Sequence, residues 1–408
     1  MDAKKIIQIL SDTAYVRTGG SDEELRCARY LQQQCAALGL EATLEEFEVP
    51  GATIRKAVLL ADGNEIPCKG YLCAGSGTVT APLYYLRSDD KLSLSRCQGR
   101  IVMIDGYLGY WKYQDLLEHG AVGFITYDGN ANYADEDIDQ RELRSYVSKG
   151  RKIPGVNINA KQAIALIRDN VQTVEIRLEQ EEYTVNSRNV VLELPGEIPQ
   201  TITVTAHYDS TSLSQGAYDN MSGSIGLLAL AERFLHTPHR YGLRFIWCGS
   251  EERGLLGSKA YVAAHEDSLS DIALSVNMDM LGCIMGAFHG YCCADEKLGH
   301  FVEYLASIHG VSIAMKNDVH SSDSTPFADK GIPALSFARY APPNTGTIHN
   351  SYDTAKLMKP EQLLADLDFI GTVVETLANS KFFPVPRQIP DTIKEKLDVY
   401  LLRKRKSN

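Results

Sequence analysis

Apolar positions along this chain recur in two rhythms, and the change from one to the other marks its organisation. Between Ser21 and Leu40 they fall at helical spacing: Leu25, Ala28, Tyr30-Leu31, Cys35 and Leu38 share a face. Ser21 stands where a cap is needed, Glu24 follows three residues on, and Gly39 ends the run. Residues 41–49 then read as an extended segment stopped by Pro50-Gly51. From about residue 186 short apolar runs alternate with amphipathic stretches. Strands are expected at 190–194, 201–206, 243–248, 272–277 and 332–337, and helices at 222–235, 258–264, 298–309 and 360–378. Near-continuous apolar strands between amphipathic helices predict an α/β fold, with a mostly parallel sheet covered on both faces.

The stretch 51–182 has another character. Short β-like runs at 71–73, 77–79 and 83–86 are broken by glycines. A strand at 100–105, a helix at 110–119, the turn Gly120-Ala121-Val122-Gly123 and a strand to Tyr127 follow, with a further strand at 153–158 and a helix at 160–168. This succession resembles the protease-associated domain, a β-rich module inserted into exopeptidases. The expected organisation is a discontinuous main domain (1–50 and 183–380), an insertion (51–182) and a C-terminal extension (381–408). A proline-rich segment and a short helix at 391–402 make up that extension.

Composition narrows the class. The chain has 408 residues, 44% apolar and 23% charged, with a net charge of -11 that argues against nucleic acid and anionic membranes. No apolar run reaches membrane-spanning length. The N-terminal apolar run ending at Leu10 is too short for a secretory core, and no small-residue cleavage site follows it. Nine irregularly spaced cysteines do not make a disulfide framework. A cytoplasmic protein is expected. The basic end, Arg403-Lys404-Arg405-Lys406, reads as a solvated tail.

Chemistry collects where the strands end, which is where open α/β sheets bind ligands. His207-Tyr208-Asp209 follows the second strand, Glu251-Glu252 the third and Met278-Asp279 the fourth. Between the first two, Asp219 precedes a helix, and a late loop carries His349. Each residue alone has an ordinary reading: Asp219 as a helix cap, Glu252 as a solvated carboxylate, either histidine as a hydrogen-bonded structural group. Together, His207, Asp219, Glu252, Asp279 and His349 offer two imidazoles and three carboxylates, a donor set suited to zinc, cobalt or manganese. Five donors exceed what one catalytic zinc with an open position uses. They suit two metals sharing one carboxylate, roughly 3.5–4 Å apart. Adjacent carboxylates such as Glu251 and Glu252 repel unless a cation holds one of them.

These motifs, with Asn220, Ser222-Gly223, Gly249-Ser250, Gly254-Leu255-Leu256-Gly257-Ser258, Asn277 and Asp353-Thr354, resemble metallopeptidase family twenty-eight, the aminopeptidase Y family of co-catalytic di-zinc exopeptidases. The resemblance implies a three-layer α/β/α zinc-exopeptidase fold with a mixed, mostly parallel central sheet. It implies two zinc ions per chain, one on His207 and Asp279, the other on Glu252 and His349, with Asp219 bridging. It also implies a cis bond at Asp219-Asn220, Glu251 as general base for hydrolysis by metal-bound hydroxide, and Asp209 fixing the His207 ring. Tyr340, after the last strand, is the candidate donor to the developing oxyanion. One departure stands out: Ser324 follows Asp323 where the family often has histidine, in a segment that lines the substrate side, so it bears on specificity.

The expected activity is therefore exopeptidase hydrolysis, with an aminopeptidase acting on short peptides as the leading reading. A carboxypeptidase direction stays open because Arg253 and Arg339 lie near the motifs. A glutaminyl cyclase would use one zinc, and a non-catalytic binding protein on the same fold would have lost its ligands; the intact set disfavours both. No G-x-S-x-G elbow or H-E-x-x-H motif offers another hydrolase route. The sequence leaves a homo-oligomer open.

Overall fold

The structure, a computed structural model, describes residues 1–129 and 138–406. The chain forms two compact units, Met1–Glu48 with Asn186–Asn408, and Val49–Val185.

In the first unit a sheet runs, from one edge, through Ala314–Lys316, Ala287–Cys293, Ala334–Tyr340, Ile272–Met278, Ile198–His207 and Tyr241–Cys248 to the second half of Thr173–Leu194. Four central strands are parallel: Ala334–Tyr340, Ile272–Met278, Ile198–His207 and Tyr241–Cys248. Antiparallel neighbours flank them on both sides. The two faces can be read from alternate residues, because side chains on a strand point to opposite sides in turn. Leu243, Phe245 and Trp247 join the larger core with Val190, Leu192, Ile202 and Val204, beneath the helices Asp22–Ala37, Ser222–Phe234 and Pro360–Ala378. Ile246 and Cys248 join Val191 and Ile272 in a smaller core with Tyr261 and Phe327 from the opposite helices, Leu256–Ala264 and Thr325–Asp329. The result is a helix–sheet–helix sandwich.

Helices start where the sequence supplies caps. The Ser21 hydroxyl accepts from the Glu24 amide at 3.1 Å, and Asp22, Glu23 and Glu24 complement the first turn's dipole. An unexpected N-terminal helix, Ala3–Asp12, is capped by Asp2 and buries Ile6, Ile9 and Leu10. The helix Asp391–Tyr400 packs Ile393 and Leu397 against Ala328, Ala334 and Cys293.

The second unit has the parallel run Gly77–Tyr85, Ile101–Asp105, Gly123–Asp128 and Gly155–Asn159. Lys69–Gly70 and residues 173–178 pair antiparallel at its two edges. Phe124 is its aromatic centre, edge-on to Tyr71 and Tyr113. One expectation fails here. Pro50-Gly51 does not stop the first extended segment, because the strand runs from Ala42 to Ala61. Gly51 leaves room for the Tyr183 ring, which a Cβ would meet at 2.7 Å, so the pair serves packing in mid-strand.

A second glycine fixes how the Ser222–Phe234 helix meets the sheet. A Cβ on Gly223 would lie 2.3 Å from the Met278 carbonyl oxygen and 2.6 Å from the Asn220 side-chain oxygen. Gly223→Ala is expected to lower the unfolding free energy by about 1–3 kcal/mol in urea titration. Gly299→Ala, whose Cβ would meet only Cys292 at 3.7 Å inside a helix, is expected to be neutral or to stabilise by about 0.5–1 kcal/mol. Equal shifts in the two variants would contradict this packing.

Candidate metal centre and active site

The parallel strands set the site by their register. His207 pairs with Cys248 at the ends of adjacent strands, so the loops that follow begin at the same level. Asp279 leaves the neighbouring strand at that end, its amide donating to the Phe337 carbonyl at 3.0 Å. His207, Asp219 and Asp279 are buried.

Asp219 stands at the centre. One carboxylate oxygen lies 3.1 Å from His207 Nε2, and the other 3.1 Å from His349 Nε2. His207 Nε2 also lies 3.6 Å from Asp279 and 3.9 Å from Glu251, while His349 Nε2 lies 3.1 Å from Glu252. Two donor groups result, His207–Asp219–Asp279 and Asp219–Glu252–His349, with Asp219 in both. All five residues singled out as ligands are brought together.

Surrounding hydrogen bonds hold these groups by their backbones. Asp209 accepts from the Glu251 amide at 2.9 Å and the Glu252 amide at 3.2 Å, and its carboxylate sits 3.5 Å from His207 Nδ1. Asp353 accepts from the amides of Tyr218 and Asp219 at 2.8 and 3.1 Å. The Asn220 side chain brackets Asp279, donating to the Met278 carbonyl and accepting from the Met280 amide. The Asp219-Asn220 bond is cis.

Two supports come from the N-terminal region. Glu24, fully buried, accepts from Ser250 N at 2.9 Å and Ser187 Oγ at 2.8 Å through one oxygen, and from Gly20 N at 2.7 Å through the other. The residue read as half of a capping box therefore also holds the loop carrying the glutamate pair. Arg17, also buried, gives its guanidinium to the carbonyls of Tyr208, Gln215 and Gly216 around the loop before Asp219. Backbone strain gathers here as well: Ser250, Leu255, Met280 and His349 hold φ between 52° and 61°, the left-handed region that side chains disfavour.

The electrostatics are those of a site made for cations. Burial alone would raise the Asp219 carboxyl, yet the two imidazoles pull it below the usual range. Burial alone would lower both histidines, yet the carboxylates around them drive both upward. Glu251 is pushed well above an ordinary carboxyl by burial, against His207 and with the charges of Glu252, Asp323 and Asp279. Burial, with the nearby charge of Asp209, raises Glu24 to about 7; burial, with that of Asp219, raises Asp353 to about 7. One Asp279 oxygen is buried without a hydrogen-bond partner. Carboxylates and imidazoles converging on shared points, with a buried oxygen left over, fit divalent zinc.

The remaining candidates have partners of their own. The Tyr340 hydroxyl lies 2.5 Å from His320 Nε2, a partner the sequence did not suggest. Ser324 does not line a substrate surface: it is buried, and its hydroxyl is 2.9 Å from those of Ser322 and Ser336. Asp323 accepts from Ser258 Oγ at 2.6 Å. Arg339 is gripped by Asp366, with contacts of 2.6 and 2.9 Å, and Arg253 donates to the Gly19 carbonyl.

Known proteins resemble this chain in sequence and in fold. The chain is 27% identical to Aminopeptidase YwaD of Bacillus subtilis over 395 residues, spanning 91% of this chain and 83% of that protein. It shares its fold with the solved structure of BSAP, a zinc aminopeptidase from Bacillus subtilis, at 24% identity and a TM-score of 0.78, covering 96% and 98% of the two chains. An aminopeptidase from Aneurinibacillus sp. strain AM-1 shares it too, at 23% identity and a TM-score of 0.75, covering 94% and 96%. Residues 189–373, which carry every group of the donor set, match the family model of Peptidase family M28.

Proposed function

We propose that this chain is a zinc aminopeptidase that releases the N-terminal residue of short peptides at two zinc positions joined by Asp219. The observation that carries this reading is the division of the Asp219 carboxylate, one oxygen toward each imidazole. His207 and Asp279 would hold one zinc, Glu252 and His349 the other. Bound there, zinc supplies Lewis acidity toward water and the scissile carbonyl. Its likeness to an aminopeptidase and to a zinc aminopeptidase of Bacillus subtilis supports the same class.

Glu251 is the general base in this reading. Its neighbour Glu252 is committed to the His349 side, whereas Glu251 lies 3.9 Å from His207 and keeps its carboxylate for proton transfer. It takes a proton from the attacking water and returns it to the departing amine. Burial raises its proton affinity above that of an ordinary carboxyl. Asp209, bonded to the amides of both glutamates, sets their spacing. Carboxylates around the ligands favour a substrate ammonium group, and Arg339 is already bound by Asp366 rather than placed for a terminal carboxylate. The Val49–Val185 unit is the inserted protease-associated module in this reading, supported by its place between two stretches of the main unit.

Glu251→Gln is expected to lower turnover by about 10²-fold or more while retaining its zinc, compared by steady-state kinetics and atomic absorption. Hydrolysis at the wild-type rate would remove Glu251 from the mechanism.

Dialysis against a chelator is expected to abolish release of the leaving group from aminoacyl fluorogenic substrates, and added zinc to restore it. Peptides with an acetylated N-terminus are expected to remain intact. Shortening of such blocked peptides from the carboxyl end would reverse the proposed direction.

A further inference from the structure

Arg17 stands between the two segments that carry His207 and Asp219. Its buried guanidinium donates to five backbone carbonyls. Two of them, Thr13 and Tyr15 at 3.3 and 3.2 Å, belong to its own segment and set the plane of the group. Nε–H reaches the carbonyl of Tyr208, the residue directly after His207. The terminal nitrogens reach the carbonyls of Gln215 and Gly216, the latter at 2.7 Å. The Gly216 carbonyl also accepts from the Met221 amide at 2.9 Å, which closes the turn around Asp219. One rigid, planar group therefore ties the neighbour of His207 to the turn that presents Asp219. The main chain of Arg17 is fixed to the same loop. Its amide donates to Ser210 Oγ at 3.1 Å, and its carbonyl accepts from Ser210 N at 3.2 Å.

A different group spans the other half of the centre. Asp353, four positions after His349, accepts from the Tyr218 and Asp219 amides at 2.8 and 3.1 Å. It ties the His349 loop to Asp219. The two imidazole–carboxylate contacts, each 3.1 Å, thus have separate braces: Arg17 for His207, Asp353 for His349.

A metal position binds tightly when its donors are held at ligating separation before the ion arrives, and outer contacts that orient ligands are worth roughly 10–100-fold in affinity. The fork matters here beyond its charge. A lysine ammonium is a compact point charge on a flexible stem, and it cannot meet carbonyls that approach different edges of one plane.

We infer that Arg17 is a positioning residue that fixes His207 and Asp219 relative to each other, and so governs zinc affinity at the position they share with Asp279. Asp353 has the matching role at the position of Glu252 and His349. The inference rests on the two-zinc reading above.

Zinc binding to the full chain, measured by competition with a chromophoric chelator, tests this in two backgrounds that each leave one position. His349→Ala leaves the first, and His207→Ala leaves the second. Arg17→Lys is expected to weaken zinc by about tenfold or more in the His349→Ala background, and by less than about threefold in the other. Asp353→Asn is expected to do the reverse. Ser210→Ala, which removes the side-chain contact to the Arg17 amide, is expected to weaken the first position alone by about threefold, and it carries the test if Arg17→Lys fails to fold. With both histidines present, Arg17→Lys should need about tenfold more zinc for half-maximal peptide release, with kcat within about threefold of the wild type at saturation. Equal weakening in both backgrounds, or an unchanged first position, would overturn the inference. Absence of zinc from both backgrounds would defeat it together with the two-zinc reading. Selective weakening in a protein that hydrolyses no free-amine peptide would support the brace and fault only the aminopeptidase reading.

Discussion

The structure turns on one carboxylate placed between two imidazoles. Asp219 can face both His207 and His349 only because the loop before its helix is held from several sides at once: Arg17 on the preceding carbonyls, Asp353 on the amides of residues 218 and 219, and Asn220 on the strand end at Asp279. Charges this close and this buried repel one another unless protons or cations intervene. Both histidines are accordingly driven toward protonation by the carboxylates around them. Metal ions at the two shared points would replace those protons and leave the imidazoles as neutral ligands.

That demand explains why the supports are themselves polar and buried. Glu24, Asp209 and Asp353 bind backbone amides rather than the donor set alone, so they fix loop geometry without competing for the points where donors converge. Burial and the neighbouring carboxylate charges raise the proton affinity of two of them, Glu24 and Asp353. The parallel strands contribute by register, bringing His207, the Glu251 loop and Asp279 to one level. The close approach at Gly223 lets the helix after Asp219 reach the carbonyl next to Asp279.

Much of this was legible in the sequence because the donors follow apolar runs, and a strand end is a local feature. His207, Glu252 and Asp279 could be placed from the strands before them, and His349 from its loop. What escaped depends on contacts distant in the chain. Glu24 reads as a helix cap, and is one, but its partners Ser187 and Ser250 lie 163 and 226 positions away. Arg17 reaches carbonyls some two hundred residues on. The strand Ala287–Cys293 was missed because a glycine and a histidine interrupt its apolar pattern. Ser324 was expected at a substrate surface, and only packing shows it turned into a cluster of hydroxyls. His320 carried no motif at all; its interest lies wholly in the tyrosine it meets.

The sharing of Asp219 is open to direct observation. Crystals grown with zinc and measured at its absorption edge should show two anomalous peaks per chain, one beside His207 and Asp279, the other beside Glu252 and His349, with one Asp219 oxygen on each. A single peak, or two peaks of which Asp219 touches only one, would contradict the shared-carboxylate centre.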